Sequence, residues 1–190
     1  AFAAAATLLV MGTTCAATLT VGPGMTYATP CRAFAVAAAG DTVQISAGTY
    51  TGDVCGIYAH NLTIRGVNGR PKIDAGGKNA MGKAIWVVVG NNMTIDNVEM
   101  FGAKVADKNG AALRLEGTGF TLRNSFLHDN ENGILTNNDG VSNIVIENTE
   151  FSSNGYGDGY GRGYDKGRFT CYVERGRVID IDYSGLDRWR

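Results

Sequence analysis

One seven-residue pattern occurs four times in this chain. It reads Asn61-Leu62-Thr63-Ile64-Arg65-Gly66-Val67, Asn92-Met93-Thr94-Ile95-Asp96-Asn97-Val98, Gly119-Phe120-Thr121-Leu122-Arg123-Asn124-Ser125 and Asn143-Ile144-Val145-Ile146-Glu147-Asn148-Thr149. The spacings are 31, 27 and 24 residues. Self-similarity at such a period marks a repeat architecture, because a unit that small cannot bury an apolar face alone and must stack on its neighbour. Within each unit apolar residues alternate with threonine or polar residues, the period-two signature of a strand buried on one face. Further short strands are expected at Ile57-Tyr58-Ala59, 85–89, 111–115 and 133–136. Two or three strands per repeat, each too short for an independent sheet, predict an all-β solenoid in which the chain wraps once and rests on its predecessor: a parallel β-helix. A leucine-rich-repeat coil does not fit, since there is no Leu-x-x-Leu-x-Leu frame and no helix in each unit.

Stacking places equivalent side chains above one another at the strand spacing of about 4.8 Å. Ile64, Ile95, Leu122 and Ile146 are then one interior column, and Leu62, Met93, Phe120 and Ile144 its neighbour. Asn97, Asn124 and Asn148 fall in register with Gly66, where the strand is expected to bend. A structural asparagine ladder there would satisfy bend carbonyls and amides. Composition agrees: 27 glycines and 15 asparagines beside only 3 prolines fit many left-handed bends better than a flexible linker. A net charge of −1 with 44% apolar residues excludes disorder and a strongly basic nucleic-acid binder.

The ends read differently. Small and apolar residues over 1–11, followed by Gly12-Thr13-Thr14-Cys15-Ala16-Ala17, predict a signal peptide remnant over 1–17. The β-helix domain then covers 18–161, and an atypical tail covers 162–190. The expected location is secreted or periplasmic. The apolar run falls short of the roughly 20 residues needed to span a bilayer, so no stable membrane insertion is expected. Cys31 and Cys55, each beside a turn signal, are predicted to form a disulfide, as export permits. Cys15 would leave with the signal peptide and Cys171 would stay unpaired. Thr29 as N-cap, Pro30 as first helical residue and Gly40 as stop predict a short capping helix over Cys31–Ala39, plugging the first coil. Beyond Tyr160 no repeat unit recurs, which reads as a truncated or divergent end. The alternative is a C-terminal cap using Val178-Ile179-Asp180-Ile181 as a last strand.

The segments Thr26-Tyr27-Ala28-Thr29-Pro30-Cys31, Gly40-Asp41-Thr42-Val43-Gln44-Ile45, Gly48-Thr49-Tyr50, Leu62-Thr63-Ile64-Arg65-Gly66 and Asp129-Asn130-Glu131-Asn132-Gly133-Ile134-Leu135 resemble bacterial exported proteins of the right-handed parallel β-helix, pectin-lyase-like superfamily. The resemblance runs from about Leu19 to Tyr160. It implies the fold more strongly than the activity, because the superfamily holds lyases, hydrolases, epimerases, adhesins and non-catalytic binding coils. It implies an acidic polysaccharide as partner. For a lyase it implies removal of the proton alpha to a uronate carboxylate by Arg, Lys, His or Tyr, with Ca²⁺ or polar groups neutralising the acid.

Two clusters of candidates follow. The first is Lys104, Asp107, Lys108, His128, Asp129, Glu131, Tyr156 and Asp158, all in loops after the asparagine bend. The second is Arg114, Glu116, Asn137 and Asp139, on the outward face of adjacent coils. From these, His128, Arg114 and Lys104 are the expected catalytic residues, with His128 first for proton transfer. Asp129, Glu131, Asn137, Tyr156 and Asp158 are expected to bind substrate. Glu116 and Asp139 could supply oxygen ligands for Ca²⁺, the one cofactor the pattern admits. The plainer readings are a solvated turn histidine at His128, a surface ion pair at Arg114 with Glu116 or Asp139, and a turn role for Asp158. No metal-binding Cys/His spacing, phosphate-cradling loop, nucleophile elbow or nucleotide fingerprint is visible. Nucleic acid is therefore not an expected partner, and a monomer is expected. The function that follows is an exported carbohydrate-active β-helix protein, lyase-like in performing β-elimination on an acidic polysaccharide. The alternative is a non-catalytic carbohydrate-binding or surface-adhesion module.

Overall fold

The computed structural model describes residues 15–136, 141–154, 167–174 and 177–184. Strand β1 (Thr18–Val21) is followed by a single helix, α1 (Pro30–Phe34). The first coil is β2 (Thr42–Ser46), β3 (Thr49–Thr51) and β4 (Cys55–Ile57), and the second is β5 (Thr63–Val67), β6 (Lys72–Asp74) and β7 (Ala84–Val88). The third is β8 (Thr94–Asp96), β9 (Glu99–Phe101) and β10 (Ala111–Leu115), and the fourth is β11 (Phe120–Arg123), β12 (Phe126–His128) and β13 (Asn132–Thr136). Strand β14 (Ile144–Ser152) then runs through two faces as one element. The result is an all-β, right-handed parallel β-solenoid of about five turns. Face one stacks β1, β2, β5, β8, β11 and the start of β14. Face two stacks β3, β6, β9, β12 and the end of β14, and face three stacks β4, β7, β10 and β13.

The registers carry the core. Val43, Ile64, Ile95, Leu122 and Ile146 are successive partners on face one, and all are buried. Leu62, Met93, Phe120 and Ile144 are buried beside them, with Phe120 paired to Ile144. Face two contributes Tyr50, Ile73, Met100, Leu127 and Phe151. Face three contributes Cys55, Trp86, Leu113 and Ile134. Strands of three residues suffice because only the middle one needs to point inward.

The bends use left-handed asparagines. Asn97, Asn124 and Asn148 have φ of 58°, 52° and 43°. Asn148 Nδ2 donates to Asn124 Oδ1 at 2.7 Å, Asn124 Nδ2 donates to Asp96 Oδ1 at 2.8 Å, and Asn97 Nδ2 donates to the Gly66 carbonyl at 3.1 Å. Gly66 itself does not bend. It lies within β5, paired to Ile45, and the left-handed turn comes later at Asn68 and Gly69. The glycine is required for space instead: a Cβ there would collide with the Asn97 carbonyl oxygen and with Pro71 Cδ.

The N-terminal end is closed as expected in kind but not in length. The helix covers five residues rather than nine, with Val36 already 58% exposed. Thr29 makes no side-chain cap bond. The Cys31 N–H is instead received by the Asp53 carboxylate at 2.9 Å, from the coil beneath. Phe34 packs edge-on against Trp86, and Cys31 is joined to Cys55 by a disulfide. Asp41 ties the incoming chain to this cap, accepting the Ala17 N–H at 2.7 Å and the Ala38 N–H at 2.8 Å. Cys15 is an exposed free thiol. At the other end, β15 (Gly167–Glu174) pairs antiparallel with β14, and β16 (Arg177–Ser184) pairs antiparallel with β15. Among the described residues no helix is long and apolar enough to cross a membrane.

Candidate functional site

Face two carries a group of chemistry-bearing side chains that includes a histidine. Its inward residues alternate with outward ones, and two outward columns result. One is Thr49, Lys72, Glu99, Phe126 and Glu150; the other is Thr51, Asp74, Phe101, His128 and Ser152. The columns bring together residues from separate coils that no local motif links.

His128, at the end of β12, is 17% exposed and stacks on two rings. Its centroid lies 4.3 Å from Phe126 on its own strand and 5.0 Å from Phe101 one coil before. Asp129 has a left-handed φ of 54°, and its Oδ2 stands 2.6 Å from His128 Nδ1. The other ring nitrogen, Nε2, lies 3.3 Å from Glu99 Oε1, and that same oxygen is 3.2 Å from Lys72 Nζ. A carboxylate only accepts. When the imidazole is neutral, its single N–H therefore goes to one carboxylate, and the shorter contact assigns it to Asp129. Nε2 then holds the lone pair. Protonated, the ring donates to both carboxylates.

The other expected site residues are distributed as follows. Lys104 is exposed in the loop between β9 and β10, at the corner where face two passes into face three. Glu131 Oε2 accepts the N–H groups of Val105 at 3.0 Å and Gly110 at 2.7 Å, closing that loop. Arg114 lies on β10, in face three, with Nε 2.8 Å from Glu116 Oε1. The three residues expected to be catalytic thus occupy face two, a corner loop and face three. Asn137, Asp139, Tyr156 and Asp158 lie outside the described residues. Glu116, one half of the expected Ca²⁺ pair, is engaged by Arg114. Among the described residues no three His, Cys, Asp or Glu side chains are grouped to hold a metal ion.

Sequence reasoning missed Lys72, Glu99, Phe101 and Phe126, because the strands of face two were not recognised. The signal was present: an apolar residue stands three positions after each bend asparagine, as Met100 after Asn97, Leu127 after Asn124 and Phe151 after Asn148. It also missed a second ladder beneath His128. Asn130 is 3% exposed; its Oδ1 accepts the Ala103 N–H at 2.9 Å, and its Nδ2 donates to the Met100 carbonyl at 3.2 Å and to Asn154 Oδ1 at 3.0 Å. Asn154 in turn donates to the Leu127 carbonyl at 2.7 Å.

No protein-family model and no curated protein matches the chain. Among solved structures it is similar to a pectin methylesterase mutant in complex with a hexasaccharide, with a TM-score of 0.48 and 15% identity over 71% of this chain and 55% of that one. It is also similar to the pectin methylesterase from Aspergillus niger. The deglycosylated form gives a TM-score of 0.34 at 15% identity over 71% and 60% of the two chains. The penultimately deglycosylated form gives 0.38 at 16% over 72% and 59%. The chain spans less than two thirds of the length of each, and at such identity the likeness concerns the coil and not its chemistry.

Proposed function

We propose that this chain is an exported carbohydrate-active protein whose substrate, an acidic polysaccharide, lies along face two, and that His128 performs the proton transfer of a lyase-like β-elimination. The observation that carries the reading is the Lys72–Glu99–His128–Asp129 group on an outward wall flanked by Phe101 and Phe126. The Asp129 contact fixes the tautomer that leaves Nε2 as base. The longer Glu99 contact is the one a substrate can displace, since Glu99 keeps Lys72 as partner. The alpha proton of a uronate moves to Nε2, the electron pair of the broken C–H bond forms the carbon–carbon double bond, and the C–O bond to the leaving sugar breaks, its oxygen taking a proton from solvent water. Lys72 supplies positive charge where the carboxylate becomes enolate-like. The disulfide between Cys31 and Cys55 supports an oxidising compartment.

Incubation with pectate, alginate and glycosaminoglycans tests this. An unsaturated uronate absorbing in the ultraviolet is expected from one of them, and its formation is expected to fall by about 100-fold or more in His128→Ala, the usual scale of a lost acid–base group. Undiminished elimination in that variant removes His128 from the mechanism. A second reading, a non-catalytic carbohydrate-binding module, is favoured by Arg114 lying on face three and paired with Glu116. It predicts retardation of the protein in a polysaccharide gel without cleavage.

A further inference from the structure

Among the described residues strand β3 has a partner strand on one side only. Its ladder to β6 uses the Gly48 carbonyl, which accepts from Lys72 N, and the Gly52 N–H, which donates to the Asp74 carbonyl. In a parallel ladder the N–H and C=O of one residue point to the same side and alternate residues point to opposite sides. The main-chain groups of Thr49 and Thr51 therefore face away from β6, and no strand among the described residues pairs with that edge. They open into a cavity of about 520 Å³ lined by Gly48 to Asp53 on one wall and by Pro23, Ala28 and Thr29 of the N-terminal loop on the other. Lys78, outside the lining itself, packs on the lining residue Gly52, with Nζ 3.2 Å from where a Cβ would stand. Among the described residues Lys78 makes no ion pair. The cavity's carboxylate, Asp53, is already held by the Cys31 N–H.

This cavity stands at the end of the columns that carry His128. Thr51, Asp74, Phe101 and His128 are successive register partners, so Thr51 lies about 14 Å from His128 at the strand spacing. One sugar ring of an extended glycan advances by close to one strand spacing. We infer that the cavity is a distal subsite for a uronate residue of the same glycan chain, its hydroxyls pairing with the free main-chain groups of Thr49 and Thr51 and its carboxylate with Lys78. The inference rests on the face-two reading of the function. It adds a fixed register: a trimer covers the His128, Phe101 and Asp74 levels, and a pentamer reaches the cavity.

Calorimetric titration of the full chain with trigalacturonate and pentagalacturonate tests it. Pentagalacturonate is expected to bind about tenfold more tightly or better. Ala28→Trp, at an exposed loop position, and Lys78→Met are each expected to remove most of that gain while leaving trigalacturonate unchanged. Equal affinity of the two oligomers, or a gain that survives Ala28→Trp, overturns the subsite while leaving the proposed function standing. If neither oligomer binds, the subsite is overturned for galacturonate, while the face-two reading is judged by the cleavage assay on the three polymers. Unpaired strand groups also suit an extended peptide. Binding of a threonine-rich hexapeptide that Ala28→Trp abolishes, without pentagalacturonate binding, overturns the inference as well.

Discussion

His128 is held both by its own strand and by the coil before it. Phe101 and Phe126 fix the ring plane, and the left-handed turn at Asp129 folds that carboxylate back onto Nδ1. Asp129→Asn is therefore expected to keep the fold but free the tautomer. Elimination by this variant should fall by about tenfold or more with KM little changed, because an orienting contact acts on the reacting state; an unaltered kcat removes Asp129 from the site. Asp41 makes a pH prediction. The two N–H donors from Ala17 and Ala38 hold its carboxyl below the usual 3.8. A carboxyl depressed in the folded state stabilises the fold above its unfolded value and loses that contribution as pH falls through the folded one. In the chain that retains Ala17, Asp41→Asn should therefore melt below the parent at neutral pH, and the gap should close below pH 3.8. A gap of constant size down to the lowest pH assigns the effect to something other than ionisation. His128 and Asp129 were legible in the sequence because histidine is rare and the pair is adjacent. Lys72, Glu99 and Phe101 were not, since only the coil register brings residues 27 to 56 positions distant to the same wall.

Among the elements, the two asparagine ladders differ in what their loss exposes. Asn124 is half-buried, shares its bonds with Asp96 and Asn148 and holds a left-handed φ, so Asn124→Leu should lower stability by about 2 kcal/mol, about 1 from the lost hydrogen bonds and about 1 from placing leucine in the left-handed region. Asn130 is buried and serves the Ala103 N–H and the Met100 carbonyl. Its replacement by leucine strands both, at about 1–3 kcal/mol for each unsatisfied group. Chemical denaturation should rank the two variants in that order, and the reverse order contradicts the burial of the second ladder. The first ladder could be read from sequence because its asparagines sit at a fixed place in the repeat. The second could not, because Asn130 and Asn154 follow three-residue strands whose existence depends on stacking. The capping helix shows the same limit from the other side. Alanine composition and Gly40 suggested two and a half turns, but a cap closing one coil has room for one turn over Ala33 and Phe34.

At the scale of the molecule, a parallel solenoid leaves a hydrogen-bonding edge at each end, and such edges template association unless covered. At the N-terminal end α1 and the disulfide stand over faces one and three, while β3 keeps an open edge on face two. At the C-terminal end β15 lies antiparallel on β14 and β16 antiparallel on β15; β16 contains the Val178-Ile179-Asp180-Ile181 strand expected of a C-terminal cap, and only the reversal of direction lay outside what the parallel repeat shows. The interior columns were legible because each coil repeats them. A terminal element occurs once and has no repeat to reveal its direction. Strand β14 is nine residues long, and its apolar Ile144 and Ile146 lie in the last layer of the core. Removing residues 155–190 should therefore leave the coils folded but bare along that strand. Light scattering after size-exclusion chromatography is expected to show dimers or larger species forming with rising concentration, while far-ultraviolet circular dichroism retains its strand signal. Changing Val145 to lysine in the shortened chain places a charge beside the bare edge and should suppress the association, as edge lysines do. A shortened chain that stays monomeric at high concentration with its spectrum intact would show that β14 needs no cover, and the antiparallel hairpin would then have to be explained by something other than protection of the edge.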